Sequence, residues 1–336
     1  MAWDTDEGRH EFGDLTLQSG AVLPGARLSW RSYGTLAPDR SNVVLFPTSY
    51  SAQAADQDWL IAPDGILDPT RWFIVVPDMF GNGLSSSPSN TPAYPALVTT
   101  ADNVLAQRRF LIERFGIDRL ACAYGFSMGA QQSYHWAALF PEAVERAIVV
   151  CGSARTAEHN KVFLLSLLAT LEAAPEHIGG GRFSAEPVAA LRAFARIYAA
   201  WAMSQDWYRA GLHLSSTGAA TLDEFLDQHW APGFTRRRAA DLYAQAMTWL
   251  HGDIAADPRY GGDLTAALGA ITARVLLLPS RTDLYFPVAD NAAEMAHLRH
   301  AELRPIPSIW GHRAGNPVGE PEARAFLRKA VADWLG

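Results

Sequence analysis

Short apolar runs alternate with helical patterns along the first half of the chain. Four of the apolar runs have the length and residue types of strands buried on both faces: 42–46, 72–78, 119–124 and 146–151. The stretches 99–115 and 128–140 repeat apolar residues at helical spacing. Strands that alternate with helices predict a doubly wound, mostly parallel sheet. The segments 15–20 and 27–34 instead alternate apolar and polar residues, which predicts two antiparallel edge strands joined by a Gly/Pro turn.

The pattern changes after residue 153. Five helical patterns follow one another without a strand between them: 161–173, 187–203, 221–230, 236–251 and 264–271. Strand patterns return at 273–280 and 302–307, and a helix is predicted over 321–335. This order predicts an α/β fold with an inserted helical cap that would exclude water from a ligand site. The predicted division is a first core segment, the cap and a second core segment: 1–153, 154–270 and 271–336.

The composition is that of a folded protein with a large core. Hydrophobic residues make up 49% of the 336 residues, and charged residues make up 19%. Lysine and arginine number 28 against 35 acidic residues, a net charge of −7, so the chain lacks the basic footprint of a nucleic-acid-binding protein. The densest basic run, 236–238, adjoins a helical pattern and is interpreted as a solvated face.

Cysteine usage and the amino-terminal segment bear on metals and location. Cys122 and Cys151 lie inside predicted buried strands without metal or redox spacing, so we expect core thiols and no metal site. Residues 1–12 are polar and charged, which predicts no signal peptide, and no apolar run approaches the length of a membrane span. We therefore expect a cytoplasmic protein with no membrane partner.

The strongest chemical motif is G-x-S-x-G around Ser127. A strand pattern leads into Gly125 and a helical pattern runs through Gly129, which is the strand–turn–helix context of a nucleophile elbow. Such a strained turn needs residues without side-chain bulk where chain segments cross. Ser127 is therefore the predicted nucleophile, and the alternative is an ordinary strand-to-helix turn.

Two later residues are candidates to activate Ser127, because a serine needs a base and the base needs an orienting acid. Asp283 follows the 273–280 strand by a short loop and is the predicted acid, with a turn-capping aspartate as the alternative. Asp290 is a weaker candidate that is expected to cap a helix. His312 is the only histidine between the last predicted strand and the terminal helix, and it is the predicted base.

Acyl transfer also requires two N–H donors for a tetrahedral oxyanion. The first predicted donor is the backbone N–H of Met128, because this residue begins the helix after the serine. The polar loop 47–51 follows a buried strand, and ligands bind at such strand ends in open α/β sheets. Ser49 is the predicted second donor and Tyr50 the next candidate; the alternative is that this loop is only a connection.

At these positions the chain resembles the homoserine O-acetyltransferase branch of the α/β-hydrolase superfamily. The similar segments are 32–36, 67–73, 102–107, the serine motif 125–132 and the acid motif 282–287. They extend over both core segments, whereas the helical insertion is similar only in kind. In that family an acetyl group passes from acetyl-CoA through the serine to the homoserine hydroxyl. The resemblance implies an α/β-hydrolase fold and two-step acyl transfer, with Ser127 as nucleophile, His312 as base and Asp283 as orienter.

Two positions depart from the pattern of that family. Its usual H-A-L-T-G oxyanion segment is replaced by Pro-Thr-Ser-Tyr-Ser at 47–51. The acidic residue that usually follows the histidine, and is associated with the substrate amino group, is Arg313. A cation repels an ammonium group and can hold a carboxylate, which disfavours homoserine as acceptor. Arg313 and Tyr50 are the predicted substrate contacts.

Three functions remain open from the sequence. The favoured one is hydrolysis of a small ester or related acyl substrate, with water as acceptor and no cofactor. The second is acyl-CoA-dependent O-acyl transfer, which uses the same catalytic residues and takes acetyl-CoA as co-substrate. The third is a ligand receptor on the same fold, which a complete triad disfavours. A small-molecule acyl substrate is the expected partner, and a homodimer stays open.

Overall fold

A single mixed sheet forms the centre of the protein in a computed structural model that describes residues 3–336. Its strands are β1 (Thr5–Thr16), β2 (Val22–Tyr33), β3 (Val43–Leu45), β4 (Phe73–Pro77), β5 (Cys122–Phe126), β6 (Arg146–Val150), β7 (Arg274–Leu278) and β8 (Ala301–Leu303). Their order in space is β1-β2-β4-β3-β5-β6-β7-β8. The β1–β2 and β2–β4 pairs are antiparallel, and the other pairs are parallel. The predicted mostly parallel α/β sheet is confirmed.

The central strands are covered on both faces, as their near-continuous apolar sequences predict. Alternate side chains enter different clusters, so Val43 and Val75 pack on one face while Val44 and Val76 pack on the other. Full burial of each such side chain contributes about 1.5–3 kcal/mol. Because β3, β5, β6 and β7 run in the same direction, their carboxyl ends meet at one edge of the sheet.

The first hairpin turns at a different place from the predicted one. β1 continues to Thr16, and the turn is closed by the Leu17 N–H, which donates to the Ala21 carbonyl at 2.8 Å. The Gly/Pro pair that was expected to form the turn lies inside β2. There Pro24 is tolerated, because β2 pairs with β4 only over 30–33 and one side of the strand needs no N–H donor at that point.

Two core helices begin and end at local sequence signals. α1 (Thr100–Phe115) starts after Thr99, which exchanges hydrogen bonds with Asp102 in a capping box. It ends at Gly116, whose φ of 65° lies in the left-handed region that glycine adopts readily. α2 (Met128–Leu139) is buried along its whole length, because it packs against β5, β6 and α1.

Helices follow one another between β6 and β7. They are α3 (Glu158–Glu172), α4 (Val188–Ala202), α5 (Gln205–Arg209), α6 (Leu212–Ser215), α7 (Leu222–Phe225), α8 (Ala231–Thr235), α9 (Ala239–Leu250) and α10 (Leu264–Ala270). Their apolar cluster continues into the α/β core through Tyr50, Met128, Tyr285 and Phe286. The helical segment is therefore packed onto the edge of the sheet where the parallel strands end.

This segment also contains elements that the sequence pattern did not predict. The helices α5, α6 and α8 have only four or five residues each, which is too short to display a period. The predicted helix 221–230 is divided into α7 and a π-helical turn, Leu226–Trp230. Pro232 lies two residues after Trp230, and it has no N–H to donate to the carbonyl of Gln228, four residues before it.

The second core segment is completed by α11 (Val288–Met295) and α12 (Pro321–Leu335). Strand β8 ends at Leu303, although the sequence predicted a strand over 302–307, because Pro305 and Pro307 cannot donate to a ladder. Within residues 3–336, the helices lack the combination of length and apolar character that crossing a membrane demands.

Candidate active site

Strand β5 presents Ser127 on a sharp turn into α2. Ser127 has φ 57° and ψ −125°, a backbone conformation that costs a non-glycine residue about 1–3 kcal/mol. A Cβ on Gly125 would lie 2.1 Å from the Gly129 carbonyl oxygen. A Cβ on Gly129 would lie 2.5 Å from the Pro47 carbonyl oxygen. Both glycines are therefore required, and the loop after β3 passes directly against the start of α2.

Three side chains predicted from the sequence come together at this turn. Nε2 of His312 lies 2.9 Å from Oγ of Ser127, and Nδ1 of His312 lies 2.7 Å from Oδ2 of Asp283. With its proton on Nδ1, the ring donates to the carboxylate and accepts from the serine hydroxyl. All three residues are buried. Asp290, the other candidate acid, lies in the first turn of α11.

Hydrogen bonds hold the two loops that carry the acid and the base. Oδ1 of Asp283 accepts the backbone N–H of Tyr285 at 2.8 Å and that of Phe286 at 3.2 Å, which leaves Oδ2 for the histidine. The Thr282 hydroxyl oxygen accepts the Gly311 N–H at 3.1 Å and so joins the acid loop to the loop before the histidine. The orientation of the imidazole is thus fixed from both sides.

Aromatic rings enclose the imidazole of His312. The ring centroids of Phe126, Tyr285 and Phe286 lie 4.7, 4.8 and 5.7 Å from its centroid. These rings help to exclude water from the His312–Asp283 hydrogen bond. The Asp283 carboxylate can stabilise an imidazolium that forms during proton transfer.

Residues 47–52 lie beside the nucleophile, and we name them the oxyanion loop after the role that the sequence predicts for them. The Thr48 N–H extends the pairing with β4 by donating to the Pro77 carbonyl at 3.2 Å. Among residues 3–336, the backbone N–H groups of Met128, Ser49 and Tyr50 donate to no other protein group. Free N–H donors from the start of α2 and from this loop are what a tetrahedral oxyanion requires.

A pocket of about 570 Å³ opens from the nucleophile into the helical segment. Ser127 and His312 line this pocket, and Tyr198, Trp230 and Phe234 contribute aromatic rings to its wall. A cavity of this size and lining accepts a small, partly apolar molecule.

The two predicted substrate contacts, Tyr50 and Arg313, both line this pocket. The Tyr50 hydroxyl donates to the Leu242 carbonyl of α9 at 2.9 Å, so the ring rather than the hydroxyl is left for a ligand. Arg313 is half-buried and has no acidic partner within the described part of the chain. Burial lowers the pKa of its guanidinium, which stays charged at neutral pH, and the Tyr198 hydroxyl opposes this shift.

One group of side chains has the composition of a metal site. Ligand atoms of Cys151, Asp283 and His312 lie within 4.8 Å of one another. Asp283 and His312 already share a hydrogen bond through the atoms involved. Burial, and next the Asp283 carboxylate, raise the pKa of the Cys151 thiol well above its ordinary value, which opposes the thiolate that a metal prefers. Cys122 and Cys151 are both buried free thiols.

Another buried carboxylate, that of Glu294, contacts the helix that begins after Ser127. Glu294 accepts the Tyr134 hydroxyl at 2.9 Å, the Ala154 N–H at 2.7 Å and the Asn291 amide at 2.9 Å. Burial raises its pKa to about 7, although these three hydrogen bonds act in the opposite direction. Glu294 thus joins α11 to α2 and to the segment that leaves β6.

Comparison with known proteins supports the same reading of the fold. A family model described as the alpha/beta hydrolase fold matches residues 58–312. The chain belongs to this family. Among solved alpha/beta hydrolase structures, an acetylester hydrolase from Corynebacterium glutamicum superposes with a TM-score of 0.90 at 34% identity, over 97% of this chain and 96% of that chain.

Curated relatives of this alpha/beta hydrolase include hydrolases and transferases. A probable esterase of Corynebacterium glutamicum is 39% identical over 90% of this chain and 88% of its own length. An ethyl acetate hydrolase of Pseudomonas veronii is 36% identical over 90% of this chain and 87% of its own length. A homoserine O-acetyltransferase of Leifsonia xyli is 29% identical over 90% of this chain and 83% of its own length. The resemblance to the homoserine O-acetyltransferase branch is confirmed, and the esterases are the more similar of these three.

Sequence reasoning found the residues that meet at Ser127 but missed residues that hold them in place. The sequence marks Thr282 only as part of the acid motif, although its hydroxyl joins the two loops. It marks Gln132 only as part of the serine motif, although the Gln132 amide donates to the Thr48 carbonyl at 2.9 Å. Gln245, in α9, accepts the Ser51 N–H at 2.8 Å. No sequence signal marks Gln245, because its partner lies 194 positions away.

Proposed function

We propose that this alpha/beta hydrolase cleaves a small acyl ester through an acyl-enzyme on Ser127, with His312 as base and Asp283 as orienting acid. The observation that supports the proposal most directly is the continuous hydrogen-bond chain from the serine hydroxyl through both imidazole nitrogens to the carboxylate. The esterase and ethyl acetate hydrolase relatives support water as the final acceptor.

The reaction proceeds in two steps with balanced proton transfers. Oγ of Ser127 attacks the ester carbonyl while its proton moves to Nε2 of His312, and the oxyanion accepts from the N–H groups of Met128 and Ser49. Collapse of the tetrahedral intermediate breaks the ester bond, and the imidazolium donates its proton to the leaving alcohol. A water molecule then attacks the acyl-enzyme while its proton moves to Nε2. Collapse of this second tetrahedral intermediate breaks the bond to Oγ, the imidazolium returns the proton to Oγ of Ser127, and the carboxylic acid leaves.

The pocket supports proposals for the substrate. We assign the Tyr50 ring to contact with the substrate body and Arg313 to contact with an anionic group on it, because this half-buried guanidinium lacks an acidic partner among residues 3–336. Residues 154–270 act as the cap that excludes water around the ester. Hydrolysis by this route needs no cofactor.

Acyl transfer from acetyl-CoA to an alcohol is the second candidate function. The Leifsonia xyli relative favours it, and the same three side chains would carry it out. The two candidates differ in whether water or an alcohol reaches the acyl-enzyme. Under this alternative acetyl-CoA is the co-substrate.

The test follows the fate of the acyl-enzyme. The protein is acylated with p-nitrophenyl acetate or acetyl-CoA, and deacylation is measured in water and with added alcohols, including homoserine. We expect rapid deacylation in water that alcohols do not accelerate. A Ser127→Ala variant should not be acylated or labelled by a fluorophosphonate. Ser133→Ala is the matched control, because Ser133 is also a buried serine of this region but hydrogen-bonds only within α2. Wild-type protein that takes no label would contradict both candidate functions.

A further inference from the structure

The oxyanion loop is held from two sides, and one of them is the helical cap. We propose that Gln245 of α9 is a positioning residue that fixes the Ser49 N–H for the oxyanion, with the Tyr50 hydroxyl as its partner in this role. The inference rests on the proposed acyl transfer at Ser127 and adds a residue that is distant from it in sequence.

Two hydrogen bonds connect the oxyanion loop to α9. Oε1 of Gln245 accepts the Ser51 N–H at 2.8 Å, and the carbonyl of Leu242 accepts the Tyr50 hydroxyl at 2.9 Å. Gln245 is 1% exposed and Tyr50 is 6% exposed, so water cannot readily replace either contact. Two consecutive loop residues are thus bound to one cap helix.

The backbone conformation of Ser51 gives the Gln245 contact a stabilising role. Ser51 has φ 58°, a left-handed conformation that costs a non-glycine residue about 1–3 kcal/mol. A hydrogen bond to its N–H stabilises this conformation. The acceptor is itself fixed, because the Gln245 side chain packs so closely on Gly81 that a Cβ there would lie 3.1 Å from its Cγ.

The core holds the other end of the loop. Thr48 is fixed by three contacts: its N–H to the Pro77 carbonyl, its carbonyl to the Gln132 amide and its hydroxyl to the Met79 N–H at 2.9 Å. Ser49 therefore lies between a residue fixed by the core and two residues fixed by the cap. Loss of the Gln245 contact frees the Ser51 N–H and lets the Ser49 N–H turn away, although the core still holds Thr48 before it and the carbonyl of Ala52, which accepts the Asn82 amide at 3.1 Å.

The experiment compares three variants of the full-length protein. Gln245→Leu removes the oxygen that accepts the Ser51 N–H at similar side-chain volume, and Gln245→Glu keeps an oxygen acceptor on a side chain of the same length. Thr248→Val is the matched control, because Thr248 is a buried residue of the same helix whose hydroxyl donates to the Val98 carbonyl at 2.7 Å, outside the loop. The readouts are kcat and KM for p-nitrophenyl acetate, the rate of fluorophosphonate labelling of Ser127, and inhibition by a trifluoromethyl ketone, whose adduct carries an oxyanion.

We expect Gln245→Leu to lower kcat and the labelling rate about ten- to hundredfold with KM unchanged, since loss of an oxyanion donor costs about 10²- to 10³-fold. Trifluoromethyl ketone affinity should fall by the same factor. Gln245→Glu should stay within about threefold of wild type, as should Thr248→Val.

Two results would overturn the proposal. One is folded Gln245→Leu protein with wild-type kcat and ketone affinity. The other is an equal loss in Thr248→Val, which would mean that α9 acts only through stability. Wild-type protein that neither hydrolyses the ester nor takes the label would instead refute the underlying acyl-transfer function, so the two failures are distinguishable.

Discussion

Replacement of Asp283 by asparagine should disable the base without changing the shape of the site. Oδ1 of Asp283 faces two backbone N–H groups, those of Tyr285 and Phe286, and such a position accepts only an oxygen. In Asp283→Asn the amide oxygen must therefore take this position, and the NH₂ group must face Nδ1 of His312. Nδ1 becomes an acceptor, and the histidine proton moves to Nε2.

That tautomer cannot accept the proton of Ser127. With the proton on Nε2, the ring donates toward Oγ across the 2.9 Å contact instead of acting as a base. Loss of the correct tautomer in a serine triad lowers kcat about 10⁴-fold, which corresponds to about 5 kcal/mol of transition-state stabilisation. Because the substitution is nearly isosteric, most of this loss should appear as kcat and little as instability.

The assay is steady-state hydrolysis of p-nitrophenyl acetate, with unfolding in urea as the check on stability. Asp290→Asn is the matched control, since Asp290 is the other acid considered from the sequence and lies in the first turn of α11. It should retain kcat within about threefold. The reasoning would be refuted if folded Asp283→Asn kept more than a tenth of wild-type kcat, or if Asp290→Asn lost as much activity.

Three further predictions concern stability and substrate choice. Gly125→Ala places a Cβ 2.1 Å from the Gly129 carbonyl oxygen and should cost at least about 3 kcal/mol in urea unfolding, whereas Gly233→Ala, with no atom within 4 Å, should change it by less than about 1 kcal/mol. Burial raises the pKa of Glu294 to about 7, above the pKa of a glutamate in the unfolded chain. The free energy of unfolding of the wild type should therefore fall by about 3 kcal/mol relative to Glu294→Gln as the pH rises from about 4.5 to about 7, and parallel pH profiles of the two proteins would contradict this. Arg313→Gln should lower kcat/KM about ten- to hundredfold for monoethyl succinate or O-acetylglycolate, but not for ethyl acetate, and equal effects on charged and neutral esters would count against a carboxylate contact.

Much of the fold could be predicted because its signals are local. A buried parallel strand appears as an apolar run, and the elbow appears as two glycines around Ser127 where strand and helix patterns meet. Predictions from local sequence were wrong where the contacts of a residue, and not its type, decide its secondary structure. Pro24 and Gly25 have the residue types of a turn, yet they lie inside β2. This is possible because β4 does not pair with that part of β2, so no N–H donor is needed on that side. The short helices around the π-helical turn carry too few residues for a period to show.

The sequence by itself determined the strand–helix order, the nucleophile elbow, and the chain order of a serine, an acid and a histidine that each follow a predicted strand. Only the tertiary structure decided that His312 meets Ser127 and Asp283, across 185 and 29 positions, and that Gln245 reaches the oxyanion loop across 194. The physical reason is that strands, turns and caps are set by neighbours in the chain. Contacts between loops instead depend on how the sheet orders its strands and how the cap helices pack on its edge, which no local pattern encodes.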